Sequence, residues 1–497
     1  MKKRKTLAGL KIFVLGSLTV LFVASAFFAQ SQDARWARVD KVFAEWDTIS
    51  SPGCALAVIK DGQIIYTRAY GMANLDYDIP VKPSTVFMLG SISKQFTAAC
   101  VLLLQEEGKL SLEDDIRKYI PEMPVYEWPV RIRHLIHHSG GVRDYEMLQH
   151  FGGELSDQGH HRNDDLLELV ARQKGLDFKP GDKYQYSNSG YLLLAVIVER
   201  VTGKSLGQFA KERIFEPLGM KKTFIFEDNR AVIKDRAIGY SKKAGGGFEV
   251  DESLNESTGD GGVYTTLDDF FLWDQNFYGS KIGGPDFIRN MLQVGRLNDG
   301  STVGFEYNGI KYEYASGLTL TKYRGLRTLG HGGAYVGFRA FFLQFPEQKF
   351  SIFLMANLGD IDPRGLSEKV ADICLEDIFP EKAPESSRKE RGEKKKEETV
   401  VLTAQKSVEY IGDYASEELR ATYQLRHVKD GLFFVQKNAP DKNALKPSGR
   451  DAFVYSGLEL QFSRDSRGRV IGFAIQSSHL RGLSFKKTSG TPPPKRP

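Results

Sequence analysis

Residues 90–108 read GSISKQFTAACVLLLQEEG. The segment from Ser93 to Glu107 is helix-like, with Gly108 placed to terminate it. Its unbroken apolar run from Ala98 to Leu104 predicts a helix buried on most sides. Ser91 and Lys94 stand three positions apart at the start, so a helical backbone brings them to one face. A helix start also presents unpaired N–H groups and a favourable dipole to a developing negative charge. Ser-x-x-Lys alone is weak, because Ser386 to Lys389 and Ser484 to Lys487 share the spacing, and an N-cap serine beside a surface lysine is the blander reading. Context singles out Ser91, since Ser386 lies in a charged stretch and Ser484 in a strand-like run.

Outward from this helix the chain alternates strand and helix signals. Upstream, CALAVIKDGQIIYTRAY (residues 54–70) reads as two β-segments joined at Asp61-Gly62, a hairpin signal. Residues 110–300 mix helical stretches such as LLELVARQ and YLLLAVIVERV with Gly- and Pro-rich loops. Between Gly317 and Gly359, GLTLTKY, RTLGHGG, GFRAFFLQF and KFSIFLMAN are apolar or β-branched runs separated by turns, as in consecutive antiparallel strands. A hairpin at one end, strands at the other and helices between predict an α/β (α+β) domain over residues 33–379 whose terminal strands share one antiparallel sheet flanked by helices. From Glu381 to Glu398, 13 of 18 residues are charged with signs nearly cancelling, which marks 380–399 as a solvated linker. Residues 400–487 carry short runs (ATYQLRHV, LFFVQK, AFVYSG, LELQFSR, VIGFAIQ, LRGLSFK) that predict a small C-terminal β-barrel or sandwich, and 488–497 is a Pro-rich tail.

The 497 residues, 41% hydrophobic and 26% charged, exclude wholesale disorder, a collagenous chain and a polytopic membrane protein. The formal charge of +5 sits at the front: Lys2, Lys3, Arg4, Lys5 and Lys11 precede an apolar run from Ile12 to Ala29. Residues 1–31 therefore read as a secretory signal with Ala29 and Ser31 at a cleavage site, or as a single N-terminal membrane anchor if left uncleaved. Without the five basic residues the body is neutral, 63 basic against 63 acidic, so general attraction to nucleic acid has no support. The expected location is outside the cytoplasm: periplasm, extracellular space or the outer membrane face. Cys54, Cys100 and Cys374 are too few for a disulfide framework and read as core residues, with a Cys54–Cys374 bridge left open.

Two further segments can carry chemistry. Tyr186-Ser187-Asn188 lies in FKPGDKYQYSNSGY, an extended piece with turn signals at Pro180-Gly181 and at Asn188-Ser189-Gly190. A tyrosine there is activated only if a cation lowers its phenol pKa from about 10, and Lys94 is the candidate cation. His331-Gly332-Gly333 lies on an expected strand running on to Ala334, where glycines mark either close approach to a backbone or a bulge. Taken together and in order, Ser-x-x-Lys, Tyr-x-Asn and His-x-Gly resemble the serine β-lactamase and penicillin-binding-protein superfamily, in particular its class C β-lactamase, D-aminopeptidase and esterase branch. The phrases VIKDGQIIYTRAYG, GKLSLEDDIRKYIPE, IRHLIHHSGGVRDY, IFEPLGMKKT and GDGGVYTTLDDF add to the likeness, which spans residues 38–360.

The resemblance implies a β-lactamase/transpeptidase-like fold, with the barrel lipocalin-like. It implies Ser91 as nucleophile, Lys94 as its base or activating cation and Tyr186 as proton shuttle. Asn188, His331, Gly333 and Ala334 would bind substrate, with the N–H groups of Ser91 and Ala334 as oxyanion hole. The implied reaction cleaves an amide or ester through an acyl-enzyme, as in a D-amino-acid-type peptidase or esterase, without metal or organic cofactor. His331 stands where many relatives carry the lysine of Lys-Thr-Gly, which disfavours β-lactam hydrolysis or D-Ala-D-Ala carboxypeptidase action unless Arg339 restores the charge. A binding scaffold for cell-wall peptide or protein is the reading from another class. His134, His137 and His138 lack a carboxylate or cysteine at metal-ligand spacing and are expected to support the site wall, with Asp260 a candidate contact for a substrate amine.

Overall fold

Asp61 and Gly62 both adopt positive φ (49° and 78°), the geometry of the two-residue turn expected between β1 (Cys54–Lys60) and β2 (Gln63–Tyr70). The computed structural model describes residues 34–150, 159–380 and 407–489, apart from 429–430, 437–438, 456 and 478–479. The basic and apolar residues 1–31, nearly all of the charged linker and the C-terminal tail beyond Ser489 lie outside the described residues, and 488–489, expected in the tail, continue the last strand. No described helix is long and apolar enough to cross a membrane.

The later strands are β3 (Gly304–Tyr307), β4 (Ile310–Tyr314), β5 (Thr319–Tyr323), β6 (Leu326–Tyr335), β7 (Phe338–Phe345) and β8 (Phe350–Ala356). They form one antiparallel sheet in that order, and β8 then pairs with β1, Cys54 opposite Ala356 and Lys60 opposite Phe350. The N- and C-terminal strands thus share a sheet, as the hairpin-and-meander pattern predicts. Strand β1 is buried along nearly its whole length, and its period of two divides it between two cores. Ala55 and Ala57 face the large helical core, whereas Cys54, Leu56 and Val58 pack with Val39, Phe43, Leu366 and Val370. Helices therefore cover both faces.

The expected buried helix is α1 (Lys94–Glu106), entered through a 3₁₀ turn at Gly90–Ser93, and every residue from Lys94 to Leu104 is buried. Beyond the short α2 (Tyr145–His150) and a further helix over Asn163–Ala171 lies α3 (Asn188–Thr202), buried through Val198. Asn188-Ser189-Gly190 is thus the first turn of a helix and not a loop turn. The Ser187 hydroxyl caps it by accepting from Gly190 N–H, 3.4 Å, and so extends the helix back from its apolar run. α4 (Leu267–Gly279) lies on the inner face, where Phe270 stacks on Phe353 with centroids 3.7 Å apart, and α5 (Pro363–Cys374) lies on the outer face. All three cysteines are free thiols, so Cys54 and Cys374 share the outer core without a bridge.

Asp274 of α4 is fully buried and accepts hydrogen bonds from Gln344 and Ser351, a cross-strand pair on β7 and β8, and from Gln275, all at 2.7 Å. Burial outweighs these donors and pushes its pKa up to about 6. A raised carboxyl pKa favours the folded state only while protonated, so this group's contribution falls as pH rises from about 4 to 6 and stays unfavourable above. Asp274→Asn should keep the three contacts, with the Gln275 amide rotated. It should raise stability at pH 8 by about 1–3 kcal/mol and flatten the pH dependence between 4 and 6, as measured by denaturant unfolding.

The C-terminal unit is a closed barrel of β9 (Gly412–Ser416), β10 (Ala421–Val428), β11 (Gly431–Gln436), β12 (Ala439–Gly449), β13 (Ala452–Tyr455), β14 (Leu458–Arg464), β15 (Val470–Gln476) and β16 (Arg481–Ser489). Tyr414, Tyr423, Phe434, Phe453, Phe462, Phe473 and Phe485 pack ring against ring in its core, with Phe473 and Phe485 stacked at 4.5 Å. Interior side chains fill a barrel of this size, so these rings hold it together.

Candidate active site

The 3₁₀ turn before α1 leaves Ser91 half-buried at the helix mouth, while Lys94 is fully buried. The Lys94 ammonium donates to Ser91 Oγ at 3.1 Å, Asn188 Oδ1 at 2.7 Å and the Asp260 carbonyl at 2.9 Å, which uses its three donors. Burial lowers its pKa from 10.5, against the opposing charges of Asp260, Glu146 and Asp144. A lysine so placed can give up its proton and accept one from the serine beside it.

Backbone contact explains the glycines of the third motif. A Cβ at Gly333 would lie 1.8 Å from the Leu89 carbonyl oxygen, and one at Gly90 would lie 2.7 Å from Ala334 N. Gly90 also has φ of 53°, the left-handed region in which a side chain is strained. Strand β6 pairs with β7 in unbroken register from Leu329 to Tyr335, so no bulge is present. Gly333 of β6 therefore accommodates the turn that carries Ser91, which lies backbone to backbone with the strand. That packing brings the main chain of Ala334 next to the turn carrying Ser91.

In front of Ser91 opens a cavity of about 430 Å³, walled by Tyr184, Tyr186, Phe305, Tyr314 and Phe341 together with His331, Gly332, Gly333 and Ala334 of β6. Lys94 Nζ stands 4.9 Å from the Tyr186 ring centroid. The Tyr186 hydroxyl is buried without a hydrogen bond of normal geometry; Ser91 favours its phenolate, but burial prevails and raises the phenol pKa well above 10. The expectation that Lys94 lowers it is therefore corrected: Tyr186 stays a neutral phenol, able to give a proton but not to act as a preformed phenolate. His331 Nδ1 lies 2.6 Å from the Gly332 carbonyl, an acceptor only, so Nδ1 carries the proton and Nε2 accepts from Tyr314 Oη at 3.1 Å. Burial pushes its pKa down to about 4, so at neutral pH it is an uncharged wall whose two nitrogens are already engaged.

A family model described as Beta-lactamase matches residues 39–373. The chain belongs to the beta-lactamase family. Among relatives, a D-aminopeptidase of Gluconobacter oxydans is 31% identical over 62% of this chain, and penicillin-binding protein 4* of Bacillus subtilis is 29% identical over 61% of this chain and 68% of its own length. The chain spans about half of the D-aminopeptidase, 56% of its length. In fold it is similar to an octameric penicillin-binding-protein homologue from Pyrococcus abyssi, with a TM-score of 0.61 at 21% identity over 92% of this chain and 99% of that one. A D-amino acid amidase from Ochrobactrum anthropi superposes with a TM-score of 0.57 at 21% identity over 69% of this chain and 99% of its own.

Around this beta-lactamase-family site, several residues have duties the sequence did not disclose. Asp260 is buried and its carboxylate accepts from Tyr145 Oη at 2.8 Å, so it backs Lys94 and does not face a substrate amine. The carboxylate open to solvent here is Glu146 of α2, whose pKa crowding by protein and the charges of Asp144 and Asp260 raise to about 7. The three histidines each make a main-chain contact: His134 accepts from Arg131 N–H, His138 accepts from Ser187 N–H, and His137 pairs with the Arg133 carbonyl. Arg339 lines the cavity but bonds the carbonyls of Val336 and Phe338, both at 2.7 Å. Arg364 lines it too, bonded to Tyr312 Oη at 2.7 Å and lying over the Tyr312 and Phe341 rings. Asp362-Pro363 in the sequence signals a helix start, but only the fold brings that start to the cavity.

Proposed function

We propose that the protein is an exported serine hydrolase that cleaves amide or ester bonds, with peptides or amides of D-amino acids as the favoured substrates. The observation that carries this reading is the buried Lys94 Nζ, 3.1 Å from Ser91 Oγ at the foot of an aromatic cavity. The D-aminopeptidase relatives at 30–31% identity support the substrate class. The basic and then apolar stretch of residues 1–31 supports export.

Ser91 Oγ attacks the substrate carbonyl carbon while neutral Lys94 takes its proton. The carbonyl electrons move to oxygen, and the N–H groups of Ser91 and Ala334 stabilise that charge. The intermediate collapses, the bond to the leaving amine or alkoxide breaks, and Tyr186 supplies the departing atom with a proton drawn from Lys94. Water then attacks the acyl carbon while neutral Lys94 takes its proton, the bond to Ser91 Oγ breaks, and Lys94 returns the proton to that oxygen. Asn188 holds the Lys94 ammonium in place through Oδ1. A panel of D- and L-amino-acid amides, p-nitrophenyl esters and nitrocefin tests the assignment. Preference for D-amides supports it; nitrocefin turnover surpassing all others would replace it with a β-lactamase reading.

That second reading has one observation in its favour, the guanidinium of Arg364 in the cavity wall. It would attract a substrate carboxylate where His331 cannot. Arg364→Ala should raise KM about tenfold for carboxylate-bearing esters and leave neutral p-nitrophenyl esters within about twofold, in steady-state kinetics.

A further inference from the structure

Glu418, in the turn between β9 and β10 of the barrel, is 5% exposed, and Arg143, in the loop before α2, is 3% exposed. The Arg143 guanidinium meets both Glu418 carboxylate oxygens, at 2.8 and 3.1 Å, and also donates to the Arg481 carbonyl of β16 at 2.9 Å. Glu418 further accepts from Lys174 N–H at 2.8 Å, and its carbonyl accepts from Gln173 at 3.2 Å. A second barrel contact runs from Arg481 N–H to Asp177 Oδ1, 2.7 Å, and Asp177 Oδ2 accepts from Gln185, 2.8 Å.

Both contacts end beside the groups around Lys94. Asp144, next to Arg143, accepts from Asn188 N–H, and Asn188 Oδ1 holds Lys94. Tyr145 bonds Ser189 Oγ through its N–H and Asp260 through its hydroxyl, and the Asp260 carbonyl holds Lys94. Gln185 immediately precedes Tyr186. We infer that the barrel is a working part of the active site: through Glu418–Arg143 and Arg481–Asp177 it clamps the loops that position Lys94, Asn188 and Tyr186. Glu418 is a positioning residue, acting through Arg143 without touching substrate. Removing its charge leaves the buried Arg143 guanidinium with only the longer Asp177 ion contact, 3.8 Å, and the loop must shift to compensate. Small misplacements of catalytic groups are costly in rate, up to about 100-fold for about 1 Å. The effect on catalysis rests on the serine-hydrolase reading; the loop clamp itself does not.

The test compares full-length wild type, Glu418→Gln and Glu417→Gln, the last removing a neighbouring charge in an exposed ion pair with Lys174. Two readouts are the rate of Ser91 phosphonylation by a fluorophosphonate and amide hydrogen exchange over residues 138–146 and 177–188. Glu418→Gln should slow phosphonylation about 10- to 100-fold, lower kcat with KM changed less than about threefold, and speed exchange in both loops, while Glu417→Gln matches wild type. Unchanged exchange and phosphonylation in folded Glu418→Gln would overturn the clamp. If that variant does not fold, Arg143→Met/Glu418→Met, which removes both charges of the pair and leaves Asp177 its hydrogen bonds from Arg481 N–H and Gln185, decides by the same readouts and the same outcomes. Wild type that resists phosphonylation would sink the Ser91 reading alone, and hydrogen exchange would still decide the clamp.

Discussion

Ser91→Ala should lower kcat for every hydrolysed substrate by about 10⁴-fold or more, with binding of substrate and thermal stability close to wild type. Removal of the attacking oxygen from a serine, base and oxyanion-donor set removes nearly the whole chemical advantage, because the set acts as a unit. The structural disturbance is small: Ser91 is half-buried and accepts one hydrogen bond, from Lys94, which keeps its two other acceptors. Steady-state kinetics with p-nitrophenyl esters and D-amino-acid amides check the loss, and a melting curve checks that the fold is intact. Turnover within about tenfold of wild type would remove Ser91 as the nucleophile.

Lys94 should be nearly as sensitive, and its variants separate a base from a mere cation. Lys94→Met is expected to lower kcat/KM about 10²- to 10⁴-fold, the range for a positioned proton acceptor in such a step. Lys94→Arg keeps the charge but cannot give up its proton at ordinary pH, so it should be as inactive as the methionine variant. A cation that only supplies field would leave the arginine variant largely active. The pH profile carries the same information. Burial lowers the Lys94 pKa, and the neutral amine is the working form, so kcat/KM should climb with pH and level off below the ordinary lysine value of 10.5. His331, with its pKa near 4, stays neutral throughout that climb and contributes no charge to it. Both Lys94 variants should lose this limb, and its persistence in either would assign it to another group.

Much of this arrangement is legible in the sequence wherever one residue's neighbours along the chain decide its conformation. Asp61-Gly62 forms its hairpin because both residues tolerate positive φ, and the apolar run after Lys94 has only the interior in which to bury itself. The start of α3 is less legible, since Asn188-Ser189-Gly190 carries the residues of a turn and becomes helical through the cap at Ser187 and packing beyond it. Strands β9 and β12 have weaker patterns than their neighbours, β12 with Pro440 and Pro447 and a shifted register, because closure of the barrel and not local preference recruits them. Site residues separate in the same way. Ser91 and Lys94 announce themselves by spacing along one helix, whereas Arg364, Glu146 and the Arg143–Glu418 pair become neighbours of the site only through contacts distant in sequence. Tyr186 shows the limit most plainly: its place beside Lys94 follows from the motif, but its raised pKa follows from burial that no motif encodes.

Intact-protein mass spectrometry after exposure to a fluorophosphonate tests the central claim most directly. One covalent adduct per chain, mapped by peptide sequencing to Ser91 and absent from Ser91→Ala, is the expected result. A chain that stays unmodified while folded would contradict a serine hydrolase built on Ser91 and Lys94 and leave the fold to a binding scaffold, and an adduct on any other residue would move the nucleophile away from Ser91.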